Sequence, residues 1–229
     1  MGKFFLFSFL WWITGNPFLA ILLLLILFYF LDRRFIGLSP SITKPLRQMR
    51  RISKLQQELR LNPHHTSNKL ELARLYMEKG QYQKALPYLQ EVQAVIEDSA
   101  EIDYELGLCL VKTERIKEGE ALILKALERN PLVKYGEPYL ELGEIYSPID
   151  IEKALSYLQK IQEIHSSSAE TYYRLGTLYT RLGQRAEAAK AFNEALEIYK
   201  SLPKYMRKKQ RKWAILSRIK KASIEAFSV

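Results

Sequence analysis

Ala169 to Leu202 reads AETYYRLGTLYTRLGQRAEAAKAFNEALEIYKSL, and the spacing of its apolar residues decides the fold. Tyr172, Leu175, Gly176 and Tyr179 recur at three- and four-residue intervals, so they share one helix face, with a small residue where a neighbouring helix must come close. After Gly183 the same rhythm returns in Ala188, Phe192 and Ala195. The stretch therefore predicts two short amphipathic helices joined by a tight turn at Gly183.

The pattern recurs three times upstream. Its small residue falls at Ala73, Gly107, Gly143 and Gly176, in steps of 34, 36 and 33 residues. The first unit carries Leu72, Ala73, Tyr76, Gly80, Ala85 and Leu89; the second carries Leu106, Gly107, Leu110, Ala126 and Pro131, with Gly119 in place of an alanine. The third carries Tyr139, Leu142, Gly143, Tyr146, Ala154 and Leu158, with Ser147, Pro148, Ile149 and Asp150 where a glycine turn is expected, one residue short and so distorted. This series resembles the tetratricopeptide repeat (TPR), whose 34-residue unit has an aromatic, a leucine and glycine, a tyrosine, and later alanine, phenylalanine, alanine and proline at these offsets. Tyr172 fills the tryptophan place and Pro203 stands near the usual proline. The resemblance covers Thr66 to Leu202 and implies an all-α solenoid of four helical hairpins. One such unit cannot bury its apolar face, whereas about three or more stacked units build a continuous core.

The formal charge of +10 changes meaning once it is divided along the chain. Residues 1–60 hold 9 basic and 2 acidic groups (+7), residues 61–202 hold 17 and 22 (−5), and residues 203–229 hold 9 and 1 (+8). The repeats are acidic and both cationic blocks lie outside them, so an anionic partner is expected at the ends of the molecule rather than in its groove. Cys109 is the only cysteine, which excludes an internal disulfide and a multi-cysteine metal site. Its setting, LGLCL, reads as that of a buried structural thiol.

Phe4 to Leu31 is apolar apart from Ser8 and the break Thr14-Gly15-Asn16-Pro17. Read as one kinked span the run would measure about 42 Å and put Asn16 near mid-bilayer; the break favours instead a helix starting at Pro17 with Asn16 as its cap and running to about Phe35, a length of about 28 Å, close to a bilayer core of about 30 Å. Phe4 to Ile13 then lies along the surface, with Trp11 and Trp12 at the interface. LDRRFIG lacks the small residues of a signal-peptide cleavage site, so the segment is expected to stay attached. Lys3 stands before the span and Arg33, Arg34, Lys44, Arg47, Arg50, Arg51 and Lys54 follow it, which puts the repeats in the cytoplasm.

Pro45 to Leu61 predicts a helix with the apolar stripe Leu46, Met49, Ile52, Leu55 and Leu59 among basic residues. It reads either as an interfacial helix on anionic lipid or as a half-repeat capping the solenoid; Leu61-Asn62-Pro63, like Asn130-Pro131 later, favours the cap. Pro203 to Ser228 predicts a last helix with Met206, Trp213, Leu216 and Ile219 as contacts. It serves as the polar cap that solenoids need, or as a tail in which Arg207, Lys208, Lys209, Arg211 and Lys212 bind lipid or RNA. The resulting divisions are 1–36 for the membrane anchor, 37–65 for the basic linker and N-terminal cap, 66–202 for four repeats, and 203–229 for the basic C-terminal cap.

No catalytic constellation is present: there is no Walker loop, nucleophile elbow or dinucleotide fingerprint. His64, His65 and His165 read as turn residues rather than metal ligands, and Ser166, Ser167 and Ser168 as helix caps. Neither an enzyme, a cofactor nor a metal is expected. The resemblance to TPR proteins implies a concave groove holding a protein or peptide, lined here by Leu70, Arg74, Met77, Tyr104, Leu108, Leu140, Glu144, Tyr173, Thr177 and Arg181, with Tyr76, Tyr146 and Tyr179 packing between helices. The lysine, arginine and asparagine clamp with which some TPR proteins grip a C-terminal carboxylate is absent. The expected function is a membrane-anchored cytoplasmic scaffold of the type found in bacteria; the alternative is a membrane-tethered RNA-binding protein, and nucleic acid is the less favoured partner.

Overall fold

The computed structural model describes residues 2–35, 43–164 and 167–226, and among these there is no strand. Two apolar helices come first, α1 (Gly2–Thr14) and α2 (Pro17–Phe35), followed by α3 (Thr43–Leu61). Four hairpins follow: α4 (Thr66–Glu78) with α5 (Tyr82–Val95), α6 (Ala100–Lys112) with α7 (Ile116–Arg129), α8 (Glu137–Tyr146) with α9 (Ile151–Ile164), and α10 (Ala169–Arg181) with α11 (Arg185–Ser201). A last helix, α12 (Lys204–Ala226), packs on α11 and α10. His165 and Ser166 lie outside the described residues. Ser168 caps α10, its hydroxyl accepting from Thr171 N at 3.4 Å, and His65 Nδ1 accepts from Asn68 N at 3.2 Å to cap α4.

Each hairpin closes on the residues that define the repeat. Leu72, Ala73, Ala85, Leu89, Ile123, Ala126, Leu142, Ala154, Leu158, Ala188, Phe192 and Ala195 are fully buried, and Tyr76, Tyr146 and Tyr179 pack between helices as expected. The α6–α7 pair approaches most closely, because Gly107 and Gly119 face each other across it. A Cβ on Gly119 would lie 2.5 Å from Gly107 O. The turns between first and second helices share one device: Gly80, Glu114 and Gly183 all adopt a left-handed backbone, with φ of 69°, 69° and 75°. The third hairpin lacks it. There Asp150 N donates to Tyr146 O at 2.7 Å and the Asp150 carboxylate accepts from Lys153 N at 3.0 Å, capping α9 directly.

The two extra residues of the 36-residue step are absorbed before α8, in a short 3-10 turn at Val133–Gly136 where Lys134 and Tyr135 are both left-handed (φ 48° and 49°). Gly136 follows with a φ of 87°.

α3 packs on α4 as an extra second-type helix. Ile52 and Leu55 are buried, Arg51 forks onto Glu71 (Nε–Oε1 2.6 Å, Nη2–Oε2 2.5 Å), and Gln56 donates to the Tyr76 hydroxyl at 2.8 Å. The stripe expected on α3 is thus only half used, since Leu46 and Met49 stay exposed. On α12 the buried positions are Ala214 and Ser217, flanked by half-buried Trp213 and Leu216. Ile219, expected as a contact, is 59% exposed because it lies on the opposite face.

At the other end of the chain, Asn16 caps α2 as the sequence suggests, its Oδ1 accepting from Phe18 N at 2.9 Å. No helix among the described residues is long and apolar enough to cross a membrane. The apolar part of α2, Pro17 to Leu31, measures about 22 Å before Asp32, Arg33 and Arg34 end it, short of the about 30 Å of a hydrocarbon core. The single span expected over this helix is therefore unsupported.

Candidate protein-binding groove

The first helices of the repeats stand side by side, and one repeat position organises their shared face. Two residues before each small anchor residue stand Glu71, Glu105, Glu141 and Arg174. Glu71 takes Arg51 from α3. Glu105 takes Arg74 from α4 at 2.9 Å, with Lys134 3.6 Å away. Glu141 takes Lys112 from α6 at 2.9 Å. In the fourth repeat the sign is inverted, and Arg174 reaches back to Glu141 at 2.5 Å and Glu144 at 3.0 Å. The result is a ladder of ion pairs, each rung joining two neighbouring units.

Burial would raise the Glu141 carboxyl, but Arg174 and Lys112 outweigh it and hold the group below its ordinary value. Arg174 is likewise held high: burial pulls it down, and Glu141 with Glu144 more than compensates. On the second-helix side, Glu120 accepts from the hydroxyls of Tyr146 (2.7 Å) and Tyr157 (2.5 Å) and pairs with Lys153 at 2.6 Å. Desolvation opposes its ionisation, yet these three partners keep it below the usual carboxylate range. Asp103, 1% exposed, is paired with Arg129 at 2.8 Å and accepts from Gln93 at 2.6 Å.

Above this ladder lies a cleft of about 610 Å³. Its aromatic walls are Tyr82, Tyr173 and Trp213; the tyrosine and tryptophan rings at 173 and 213 lie 5.2 Å apart. Lys112, Glu141, Glu144, Glu170, Arg174 and Arg181 supply its charged lining, and Thr177 a hydroxyl. Lys112, Glu141, Glu144 and Arg174 are matched with one another, so the cleft offers ring faces beside paired charges, with Glu170 and Arg181 also in its lining. Such a surface suits an apolar side chain carried on a peptide rather than a highly charged ligand.

Of the residues expected to line the groove, Glu144, Tyr173, Thr177 and Arg181 meet at this cleft. Leu70, Arg74 and Met77 are half-buried on α4, away from it, and Arg74 is engaged with Glu101 and Glu105. Three residues are corrected by the packing. Tyr104 is 3% exposed and Leu108 8%, because the turn at Val133–Gly136 and α8 pack against α6, and Leu140 is 1% exposed because it packs with Leu158, Ile161, Tyr172 and Leu175 of the third and fourth repeats. Tyr104 joins a core with Val133 and Leu142, and its hydroxyl has no hydrogen-bond partner among the described residues. Burial, with Glu137 and Glu141 nearby, pushes that phenol well above its ordinary value.

Lys112, Tyr82 and Trp213 were not singled out from sequence as groove residues. Lys112 stands five residues after Gly107, as Arg181 does after Gly176, so the repeat register could have found it. Cys109 is fully buried, and burial, then Glu105, pushes its thiol up to about 12. In the basic tail, Arg207 is committed to the main chain, donating to Leu202 O at 2.7 Å and Lys200 O at 2.6 Å. Lys212 lies over the Trp213 ring at 4.8 Å. Lys208 and Lys209 are exposed. Arg207 thus helps dock the cap on the end of α11.

Stacked helical hairpins with a concave aromatic cleft define a repeat solenoid of the class that recognises other polypeptides. The tetratricopeptide repeat family matches residues 70–132 and 149–201, together about half of the chain, and the chain belongs to that family. BBSome complex member BBS4 of Bos taurus is 26% identical over 124 residues, or 54% of this chain; the chain spans only 23% of that relative's length. Among solved structures, a tetratricopeptide repeat protein from Parabacteroides merdae aligns with a TM-score of 0.55 at 17% identity, over 76% of this chain and 66% of that one. MamA aligns with a TM-score of 0.52 at 24% identity, over 71% and 97%. These likenesses are to the fold.

Proposed function

We propose that this chain is a membrane-anchored scaffold that holds a protein or peptide partner in the cleft between Tyr82, Tyr173 and Trp213, with its repeats on the cytoplasmic face. The cleft carries the reading: there the half-buried rings of Tyr82, Tyr173 and Trp213 lie beside charges that are already paired within the protein. Fold and family support a scaffold that binds polypeptide. Attachment is supported by the exposed apolar side chains of α1 and α2, among them Trp12 at 82% and Phe18 at 80%. The excess of Lys and Arg after α2 supports the orientation. Exposed Leu46 and Met49 beside Arg47 and Arg50 on α3 suit contact with anionic lipid.

The test is in-cell crosslinking and affinity capture from membranes with wild type and Thr177→Trp. Thr177 is half-buried and lines the cleft, so the larger ring takes up its space. Partners captured by wild type should be lost from the variant while its melting temperature changes little. Full capture by a folded Thr177→Trp protein would move the binding site elsewhere.

A further inference from the structure

We propose that α1 and α2 form a re-entrant hairpin that enters the lipid bilayer and returns to the same face, keeping Lys3 and Arg33-Arg34 on the side of the repeats. The inference rests on the membrane attachment proposed above and replaces its simplest form, a single crossing.

Length is the first argument. α1 has 13 residues, about 20 Å, and the apolar part of α2 is about as long; neither reaches across a core of about 30 Å. Two short helices joined at a turn solve this by dipping into the bilayer together. The second argument is the packing of the pair. α1 packs on α2, Ala20 is fully buried, and Phe7, Leu10 and Thr14 on α1 and Leu24 on α2 are half-buried. The remaining surface is open and apolar: Trp12 82%, Phe18 80%, Phe30 63% and Leu25 60% exposed. A helix pair in water buries one stripe and shows a polar one; here the outward faces are apolar as well, as lipid requires.

The third argument is the break itself. Non-helical backbone in hydrocarbon is tolerated only if its polar groups find partners, and this one is supplied from within. Gly15, left-handed with a φ of 63°, donates its N–H to Trp11 O at 2.8 Å, and Ala20 N donates to Asn16 O at 3.1 Å. The Thr14 hydroxyl donates to Leu10 O at 2.9 Å, and Phe18 N donates to Asn16 Oδ1 at 2.9 Å. These four bonds meet a part of the break's polar groups from within the chain. Charge completes the picture: Lys3 precedes the hairpin, Arg33 and Arg34 follow it, and Arg47 and Arg50 come next on α3, so one anionic leaflet serves them all.

The full-length protein allows a direct test. Cys109 is fully buried, so wild type gives the background. Single cysteines are placed by Gly2→Cys, Trp12→Cys and Ser53→Cys, Ser53 being exposed on α3. A membrane-impermeant maleimide is then added to sealed right-side-out and inside-out vesicles. The hairpin requires that Gly2→Cys and Ser53→Cys label from the same face and that Trp12→Cys labels from neither. Labelling of Gly2→Cys or Trp12→Cys from the face opposite Ser53→Cys overturns the hairpin and leaves attachment standing as a single crossing. Release of the protein by alkaline carbonate, with no flotation on vesicles, overturns attachment and the hairpin with it.

Discussion

Gly119→Ala would restore the alanine that the other three repeats carry at this place, as Ala85, Ala154 and Ala188. By repeat consensus, and by the helix propensity gain of about 1 kcal/mol, the change should stabilise. Geometry says the reverse. The new methyl would sit 2.5 Å from Gly107 O, 2.5 Å from Val111 Cγ2 and 2.7 Å from Val111 N, where carbon contacts need about 3.5 Å. Two of the three obstacles are backbone atoms, so α6 and α7 must part by close to the whole deficit, about 1 Å. Overpacking of this kind costs about 1–3 kcal/mol. Net of propensity the expected loss is up to about 2 kcal/mol, a fall of up to about 8 °C in melting temperature for a chain of this size. Gly143→Ala is the comparator: its methyl would meet the Leu158 side chain first, at 2.5 Å, and a side chain can turn away, so the loss should be smaller. Thermal unfolding followed by far-UV circular dichroism reads both variants. A melting temperature for Gly119→Ala at or above wild type would refute the tight α6–α7 contact and return the position to the consensus.

Other perturbations follow from the same packing. Tyr104→Phe removes a buried hydroxyl without a partner and should raise stability by up to about 1 kcal/mol, whereas Tyr104→Ala should cost about 3 kcal/mol or more; equal melting temperatures for the two would contradict its burial. Glu114 holds a left-handed backbone where its counterparts are Gly80 and Gly183, so Glu114→Gly should stabilise by about 1 kcal/mol, visible as a higher denaturant midpoint. Glu71, Glu120 and Glu141 are all held below the ordinary carboxylate value of 4.5. Their contribution is therefore complete above that pH and lost as the medium is acidified through the lower folded values, while Glu137, raised by burial and Glu141, acts with the opposite sign. Glu141→Gln should cost about 2 kcal/mol at neutral pH and flatten the acid limb; an unchanged limb would remove Glu141 from the account.

Much of the architecture is legible in the sequence. The recurrence of Ala73, Gly107, Gly143 and Gly176 gives four hairpins because close helix contact demands a small residue there, and Asn16-Pro17 announces the start of α2 because both residues have a defined place at a helix N-terminus. The site was less legible. Tyr104 occupies a groove position by register, but it is covered by the turn at Val133–Gly136, whose left-handed Lys134 and Tyr135 have no sequence signature. The 36-residue step marked that something was inserted, not where it would fold. Trp213 was assigned to the cap, and it is; a residue at the end of a curved array belongs to the cap and the groove together, which a linear reading of the chain separates.

The inverted charge at Arg174 gives the array a direction. Each earlier unit presents a cation forward to a glutamate of the next: Arg51 to Glu71, Arg74 to Glu105, Lys112 to Glu141. The fourth unit instead presents Arg174 backward to Glu141. A shortened chain lacking the second hairpin would still set Arg74 against Glu141, because the same socket recurs. A copy of the fourth hairpin appended after the original would set Arg174 against its own duplicate, two guanidinium groups with no carboxylate of Glu141 between them. The chain can thus lose an internal module and keep its joints, but it cannot lengthen by repeating its last one. One substituted charge acts as a stop on growth by duplication.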